Sequence, residues 1–81
     1  VLLLVEVADR TLRIDLGRKA RIYASGAVAE YWVVDLSHRM LYVHRSPAGG
    51  TYAVRQAVAS EERVAAEFAP HIQIGVEEVT G

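Results

Sequence analysis

The order of the first three segments restricts this chain to few folds. Residues 1–8 are apolar on both alternating faces except at Glu6, the pattern of a strand covered on two sides, and they predict a central strand. Residues 12–25 have helical periodicity. Residues 30–35 read EYWVVD, a composition typical of a strand. A strand, a helix and a strand in this order predict a right-handed crossover between parallel strands.

The helix at residues 12–25 has one charged pair on its apolar side. We expect Thr11 to cap its start and Gly26 to end it. At about 100° per residue, Asp15 and Lys19 fall on the side that should face the sheet. The apolar residues on that side are Leu12, Leu16, Ala20 and Tyr23, and the arginines on the other are Arg13, Arg18 and Arg21. Lys19 is the only lysine in the chain, so its position is informative.

Two hairpins are predicted downstream. Turn residues at 37–39 and 46–50 separate the segments 30–35, 40–45 and 52–58, which have strand composition. Residues 59–81 give a weaker signal and no functional interpretation. The sequence therefore predicts an α/β fold with a mixed sheet, a flanking helix and antiparallel hairpins after the strand–helix–strand start.

The amino-acid composition limits the size of the domain and the kinds of site that the chain can form. Eighty-one residues suit one small domain, and the start at Val1 on an apolar run predicts the C-terminal part of a longer one. The absence of cysteine excludes disulfides and thiolate metal sites. No apolar stretch approaches the roughly 20 residues that span a bilayer, so we expect a soluble cytoplasmic protein.

Charge is unevenly distributed along the chain. The net charge is only −1, but residues 10–21 carry five basic residues against Asp15, a local +4, and residues 61–81 carry one arginine against five glutamates, a local −4. The basic helix could contact phosphates, and a solvated charged face is the alternative.

Burial of Glu6 is unfavourable in free energy, because an ionised carboxylate among the apolar side chains of the first strand needs a cation or a proton. A helix packed over its face could bring Lys19 beside it. In a structural interpretation, Lys19 forms an ion pair with Glu6, or with Asp15 at a spacing worth about 0.2–0.5 kcal/mol. In a functional one, Glu6, the backbone carbonyl of Val7 and another acid bind Mg²⁺, and Lys19 orients or activates the water that attacks a phosphodiester.

The spacing of these residues is similar to that of a known family. LLVEVAD, then Asp15-x-x-x-Lys19-x-x-x-Tyr23, Gly26 and EYWVVDL closely resemble the Uma-type putative restriction endonucleases, a branch of the PD-(D/E)XK nuclease superfamily. The resemblance covers residues 2–45. It implies a restriction-endonuclease-like mixed sheet with an acidic metal site at one edge of the central strands.

The resemblance also implies roles for individual residues. Glu6 matches the acid of the (D/E)XK element, as a ligand of Mg²⁺ or Mn²⁺. Val7 and Ala8 follow it, so the lysine expected at position 8 is missing, and Lys19 looks like the substitute. The family's leading aspartate lies upstream of the acidic strand and is not among residues 1–81. The implied substrate is DNA.

The other candidates have supporting or structural interpretations. Asp15 is expected to anchor Lys19 or to join an outer shell around the metal ligands, and Tyr23 to be a core aromatic with a polar tip near the site. Arg13, Arg18 and Arg21 are the candidate phosphate ligands. The three histidines share no metal-ligand spacing, and we expect surface positions or a cross-strand pair for His38, His44 and His71.

Two further hypotheses remain open. An unpaired strand edge invites association, so we expect a homodimer. The alternative to an enzyme is a non-catalytic nuclease fold kept for nucleic-acid binding or self-association, in which Glu6 and Lys19 form only a salt bridge.

Overall fold

The computed structural model describes residues 1–10 and 12–81, so the proposed cap at Thr11 lies outside the described residues. Four strands form the main sheet: β1 (Leu4–Ala8), β2 (Glu30–Asp35), β3 (Met40–Ala48) and β4 (Thr51–Ala59). The segment between β1 and β2 is helical, with α1 (Leu12–Ile14), a π-helical turn (Asp15–Lys19) and α2 (Ala20–Ser25). The chain continues through β5 (Arg63–Val64), β6 (Ile74–Gly75) and α3 (Val76–Thr80).

The main sheet is mixed, with the spatial order β1-β2-β3-β4. β1 and β2 are parallel, and the β2–β3 and β3–β4 pairs are antiparallel. The helical segment is the crossover between the two parallel strands. These observations confirm the predicted α/β fold, and the strand–helix–strand start and both hairpins have the predicted order.

The prediction that residues 1–8 form a central strand is wrong. In the described part of the chain β1 is an edge strand of the sheet, next to β2 alone. Val5 and Val7 are 49% and 61% exposed, because no described segment packs over their side of the strand. An apolar run on both faces indicates burial on both faces only when the neighbouring segments extend far enough to cover it.

One face of the sheet packs against the helical segment through small side chains. Ala20 and Ala24 on the helix and Ala8 on β1 are buried in one cluster with Tyr31 and Val33 of β2. Alanines at these positions allow the helix to lie close to the sheet. The side chain of Glu6 is on this face, since it alternates with the inward-facing Ala8.

The other face is covered by residues 60–80, to which the sequence assigned no role. β5 pairs with β6 in a separate two-stranded sheet, and α3 follows directly. The buried cluster beneath them consists of Trp32, Val34, Leu41, Val43, Val58, Ala66 and Val76. Glu30, fully buried on this side, accepts hydrogen bonds from Trp32 Nε1 at 2.7 Å, Arg45 Nε at 2.8 Å and the Glu67 backbone N–H at 2.9 Å.

The helix ends at Gly26, as predicted, but the left-handed residue of its C-terminal motif is Ala27. Gly26 has φ −83°, an ordinary value, and the left-handed conformation is at Ala27 with φ 60°. The Val28 N–H bonds to the Tyr23 carbonyl at 3.0 Å and the Ala27 N–H to the Ala24 carbonyl at 3.2 Å. This pair of bonds is a Schellman motif, whose left-handed position is usually glycine.

Candidate active site

Glu6 is the centre of a polar cluster between β1 and the helical segment. Its Oε1 accepts a hydrogen bond from the Tyr23 hydroxyl at 2.7 Å, and its Oε2 is 3.3 Å from Lys19 Nζ. The Glu6 side chain is 26% exposed, so it remains open to solvent while both oxygens have protein donors. These contacts fix the orientation of a carboxylate that still has free lone pairs.

Lys19 lies between two carboxylates. Its Nζ is 3.1 Å from Asp15 Oδ1 in addition to its contact with Glu6, and its side chain is 36% exposed. The Asp15 side chain is only 1% exposed. The structure therefore brings together Glu6, Lys19, Asp15 and Tyr23, and it places Asp15 beneath Lys19 rather than at the solvent side of the cluster.

The π-helical turn explains how three of these residues reach the same site. Asp15, Lys19 and Tyr23 are spaced four residues apart, and on an α-helix each step of four would rotate the side chain by about 40°. A π turn has i→i+5 hydrogen bonds and more residues per turn, so a step of four rotates less. The wider turn at Asp15–Lys19 thus offsets the rotation of the α-helical step that follows, so that all three side chains face the sheet.

The surrounding charges act on the protons of this cluster. Hydrogen bonds to Asp15 and then Glu6 raise the pKa of Lys19 above its ordinary value of 10.5. The hydrogen bond to Glu6 raises the pKa of Tyr23 above 10.0, because the phenolate would face a carboxylate. Lys19 is therefore a permanent cation and Tyr23 a neutral donor at physiological pH.

An aromatic cluster supports Tyr23 from the sheet. The Tyr31 ring is 5.0 Å from Tyr23, 5.2 Å from His44 and 6.4 Å from Tyr52, measured between centroids. Burial raises the pKa of Tyr31, whose hydroxyl has no hydrogen-bond partner among residues 1–10 and 12–81. The Tyr52 hydroxyl donates to the Val28 carbonyl at 2.7 Å, which ties the cluster to the end of the helix.

Of the two positions expected for the histidines, His44 has the cross-strand pair, since it is the register partner of Tyr31. His44 is buried, its Nδ1 lies 3.0 Å from the Tyr31 carbonyl, and burial lowers its pKa. Its strand position, on the helix face of β3, explains the burial. His38 is exposed and contacts Asp35 Oδ2 at 2.9 Å in the β2–β3 turn, and His71 is exposed.

The described residues offer limited metal ligation. Among residues 1–10 and 12–81, no group of three or more His, Cys, Asp or Glu side chains is arranged to hold an ion. The Ala8 carbonyl points towards β2, since it accepts a hydrogen bond from the Leu36 N–H at 3.4 Å. Because successive carbonyls of a strand alternate in direction, the Val7 carbonyl points to the open edge of the sheet. Glu6 and this carbonyl suit Mg²⁺, which takes one or two carboxylates and retains several waters.

The three candidate phosphate-binding arginines are on the outer side of the helical segment. Each is exposed and forms no ion pair with another described residue: Arg13, Arg18 and Arg21. Their charges are thus available to an anion in solution. The structure does not bring them into contact with Glu6 or Lys19.

The sheet is mixed, its first strand carries Glu6 and is parallel to the second, and the crossover helix packs on the face that carries Glu6. This arrangement is a restriction-endonuclease-like α/β core. The sequence of the chain matches the family model Uma2, described as putative restriction endonuclease, over residues 1–77. The chain belongs to this family, whose description indicates a nuclease-like function. No curated protein matches the chain. Among the described residues, no helix is long and apolar enough to cross a membrane.

Proposed function

We propose that this chain contributes the acidic strand and the lysine-bearing helix of a metal-dependent endonuclease that hydrolyses DNA phosphodiester bonds. The observation that carries the proposal is the contact of Lys19 with Glu6 in a solvent-open cluster, with Asp15 beneath it and Tyr23 on the second oxygen of Glu6. Membership of the Uma2 family supports the nuclease class. In this proposal the chain is part of a PD-(D/E)XK-type domain.

Lys19 acts as a fixed positive charge. Its contacts with Asp15 and Glu6 raise its pKa, which favours a retained proton and a charge-stabilising role over that of a base. An ammonium group in this position would instead stabilise the negative charge that develops on the phosphate oxygens in the transition state. Asp15 holds the amine in place from below, so its role is to position Lys19.

Glu6 is the protein carboxylate available to a hard cation. Mg²⁺ or Mn²⁺ held by Glu6 and the Val7 carbonyl would lower the pKa of bound water and neutralise charge on the phosphate. Tyr23 and Lys19 fix the carboxylate by hydrogen bonds, as outer-shell groups commonly do for metal ligands. The remaining ligands would be water and the phosphate itself.

The exposed arginines supply the affinity for the DNA backbone. Arg13, Arg18 and Arg21 on one helix would neutralise phosphates, which makes binding fall with salt concentration. We further propose that the protein is a cytoplasmic homodimer. The unpaired edge and exposed Val5 and Val7 of β1 support association, since an open edge can pair with another chain.

One observation favours a second function. Lys19 has two carboxylate partners within 3.3 Å, and the described residues contain no three-ligand metal cluster. A nuclease fold that binds nucleic acid without cutting it would have the same ion pairs. In that case Glu6 and Lys19 contribute to stability and not to catalysis.

Plasmid cleavage by the full-length protein in Mg²⁺ or Mn²⁺ tests the proposal. We expect Glu6→Gln and Lys19→Met each to reduce the cleavage rate by about 10²–10³-fold, the usual effect of removing one electrostatic contact to the transition state. Glu77→Gln is the matched control, because Glu77 is an exposed carboxylate on α3. Circular dichroism verifies that each variant is folded.

The two functions predict different results. Loss of cleavage in both folded variants, with Glu77→Gln at the parental rate, supports the enzyme. Absence of cleavage by the parent protein in either metal, combined with salt-dependent DNA binding, supports the non-catalytic module.

A further inference from the structure

A cleft lies on the same face of the sheet as Glu6. It has a volume of about 280 Å³ and is lined by Leu16, Tyr42, His44, Arg55, Gln56 and Ala57. Leu16 belongs to the π-helical turn and the other five residues to β3 and β4. The helix ends against the β3–β4 turn, near Gly50, and leaves the far part of these strands uncovered.

The strand register places this cleft close to the candidate active site. Glu6 pairs with Val33, Val33 with Tyr42, and Tyr42 with Ala57, so these residues form one row across the sheet. With neighbouring strands about 4.8 Å apart, the Cα of Tyr42 is about 10 Å from that of Glu6 and the Cα of Ala57 about 14 Å. Stacked duplex DNA rises about 3.4 Å per nucleotide and an unstacked strand is more extended, so these distances span at most about three to four nucleotides from a phosphate at Glu6.

The lining suits a flat, partly apolar ring attached to an anion. Tyr42 is partly buried beside the aromatic cluster, and the buried His44 ring also lines the cleft. Arg55 is exposed on β4 and has no recorded ion pair within residues 1–10 and 12–81, so its guanidinium is available for a phosphate or for stacking. Aromatic rings and arginine planes are the groups on which proteins stack unpaired bases.

We propose that this cleft binds one unpaired nucleobase within a few nucleotides of the scissile phosphate, with Tyr42 as the stacking ring and Arg55 as the contact to the phosphate that adjoins this base. The inference rests on the proposed function, and it names the substrate class: single-stranded DNA, or DNA with an unpaired base near the cut. A base within a duplex is stacked on both sides and would have to be extruded first, which costs a few kcal/mol.

Binding of short oligonucleotides to the full-length protein in Ca²⁺, used to avoid cleavage, tests the inference. The probes are a single-stranded 12-mer with 2-aminopurine at successive positions, the same strand with an abasic site, and the duplex. We expect quenched fluorescence at one position, weaker binding when that position is abasic, and tighter binding of the single strand than of the duplex.

Paired substitutions separate stacking from charge. Tyr42→Ala should weaken single-strand binding by about 5- to 150-fold, whereas Tyr42→Phe, which keeps the ring, should bind like the parent. Arg55→Gln should weaken binding and reduce its salt dependence more than Arg39→Gln, a control at the exposed β2–β3 turn. The abasic probe gives the same information without altering the protein, in case Tyr42→Ala does not fold.

The outcomes distinguish this inference from the function on which it rests. Cleavage of plasmid DNA with no effect of the abasic site, Tyr42→Ala or Arg55→Gln would overturn the base site and leave the nuclease proposal intact. Failure of the protein both to bind any oligonucleotide and to cut plasmid would overturn both.

Discussion

Replacing Glu30 by Gln isolates a buried carboxylate that is remote from the candidate site. Glu30 is on the face opposite Glu6 and accepts three hydrogen bonds, two at Oε2 from Trp32 and Arg45 and one at Oε1 from the Glu67 backbone. An amide of the same shape has one acceptor oxygen and an NH₂ group that can only donate. At least one of the three donors would therefore face another donor.

The expected cost follows from these contacts. A buried donor without a partner costs about 1–3 kcal/mol, and loss of the carboxylate charge weakens the hydrogen bond from Arg45, which is partly exposed. We expect Glu30→Gln to lower the free energy of unfolding by about 2–4 kcal/mol. For a chain of this size, 1 kcal/mol shifts the melting temperature by roughly 4–8 °C, so the loss should be about 8–30 °C.

Thermal and urea denaturation followed by circular dichroism measure this change. Glu67→Gln is the control, because Glu67 contributes its backbone N–H and its exposed side chain takes no part in the contact, and we expect a change of at most about 0.5 kcal/mol. A loss below about 1 kcal/mol for Glu30→Gln would refute the reasoning, since the three hydrogen bonds would then contribute little.

The remaining predictions concern the helix and its lysine. Ala27→Gly should stabilise the protein by about 0.5–1 kcal/mol in thermal unfolding, because Ala27 has the left-handed φ of 60°. Gly26→Ala should not destabilise it, because Gly26 has φ −83°. Destabilisation by Ala27→Gly together with stabilisation by Gly26→Ala would contradict the Schellman assignment. Lys19 is the only lysine, so it gives a single side-chain resonance in lysine-labelled NMR. Its pKa should exceed 10.5 in the parent protein and should fall in Asp15→Asn. A pKa below 10.5 in the parent would instead support a role as a base. Because the folded-state pKa is raised, this contribution to stability is complete below the unfolded pKa of 10.5 and is lost as pH rises through the folded value, which urea unfolding across alkaline pH can measure.

The crossover and the polar cluster were largely accessible from local patterns. Strand composition on both sides of a helical period predicts the β1–helix–β2 unit, and the four-residue spacing of Asp15, Lys19 and Tyr23 places them on one side of that helix. Their meeting with Glu6 follows from packing a helix over the first strand. The π turn was not predicted, because nothing in single-residue helix propensities distinguishes it from an α-helical turn.

The exposure of β1 and the burial of His44 depend on distant segments. The exposure of Val5 and Val7 is set by how far residues 60–80 extend across the sheet, and the burial of His44 by the rings of Tyr31 and Tyr52. Neither is encoded in the periodicity of the strand itself. The cleft was missed for the same reason, since only the strand register places Tyr42 and Arg55 on the face of the sheet that carries Glu6.

The sequence by itself determined the order and type of the main elements and the chemical groups on the inner side of the helix, because alternation and helical periodicity are local properties of the chain. The tertiary structure alone decided which strand lies at the edge, how Glu6 shares Lys19 with Asp15, and which side chains line a cleft some 10–14 Å away. These features depend on strand register and on packing between residues far apart in the chain, where small differences in contact select one arrangement from several that the same local patterns allow.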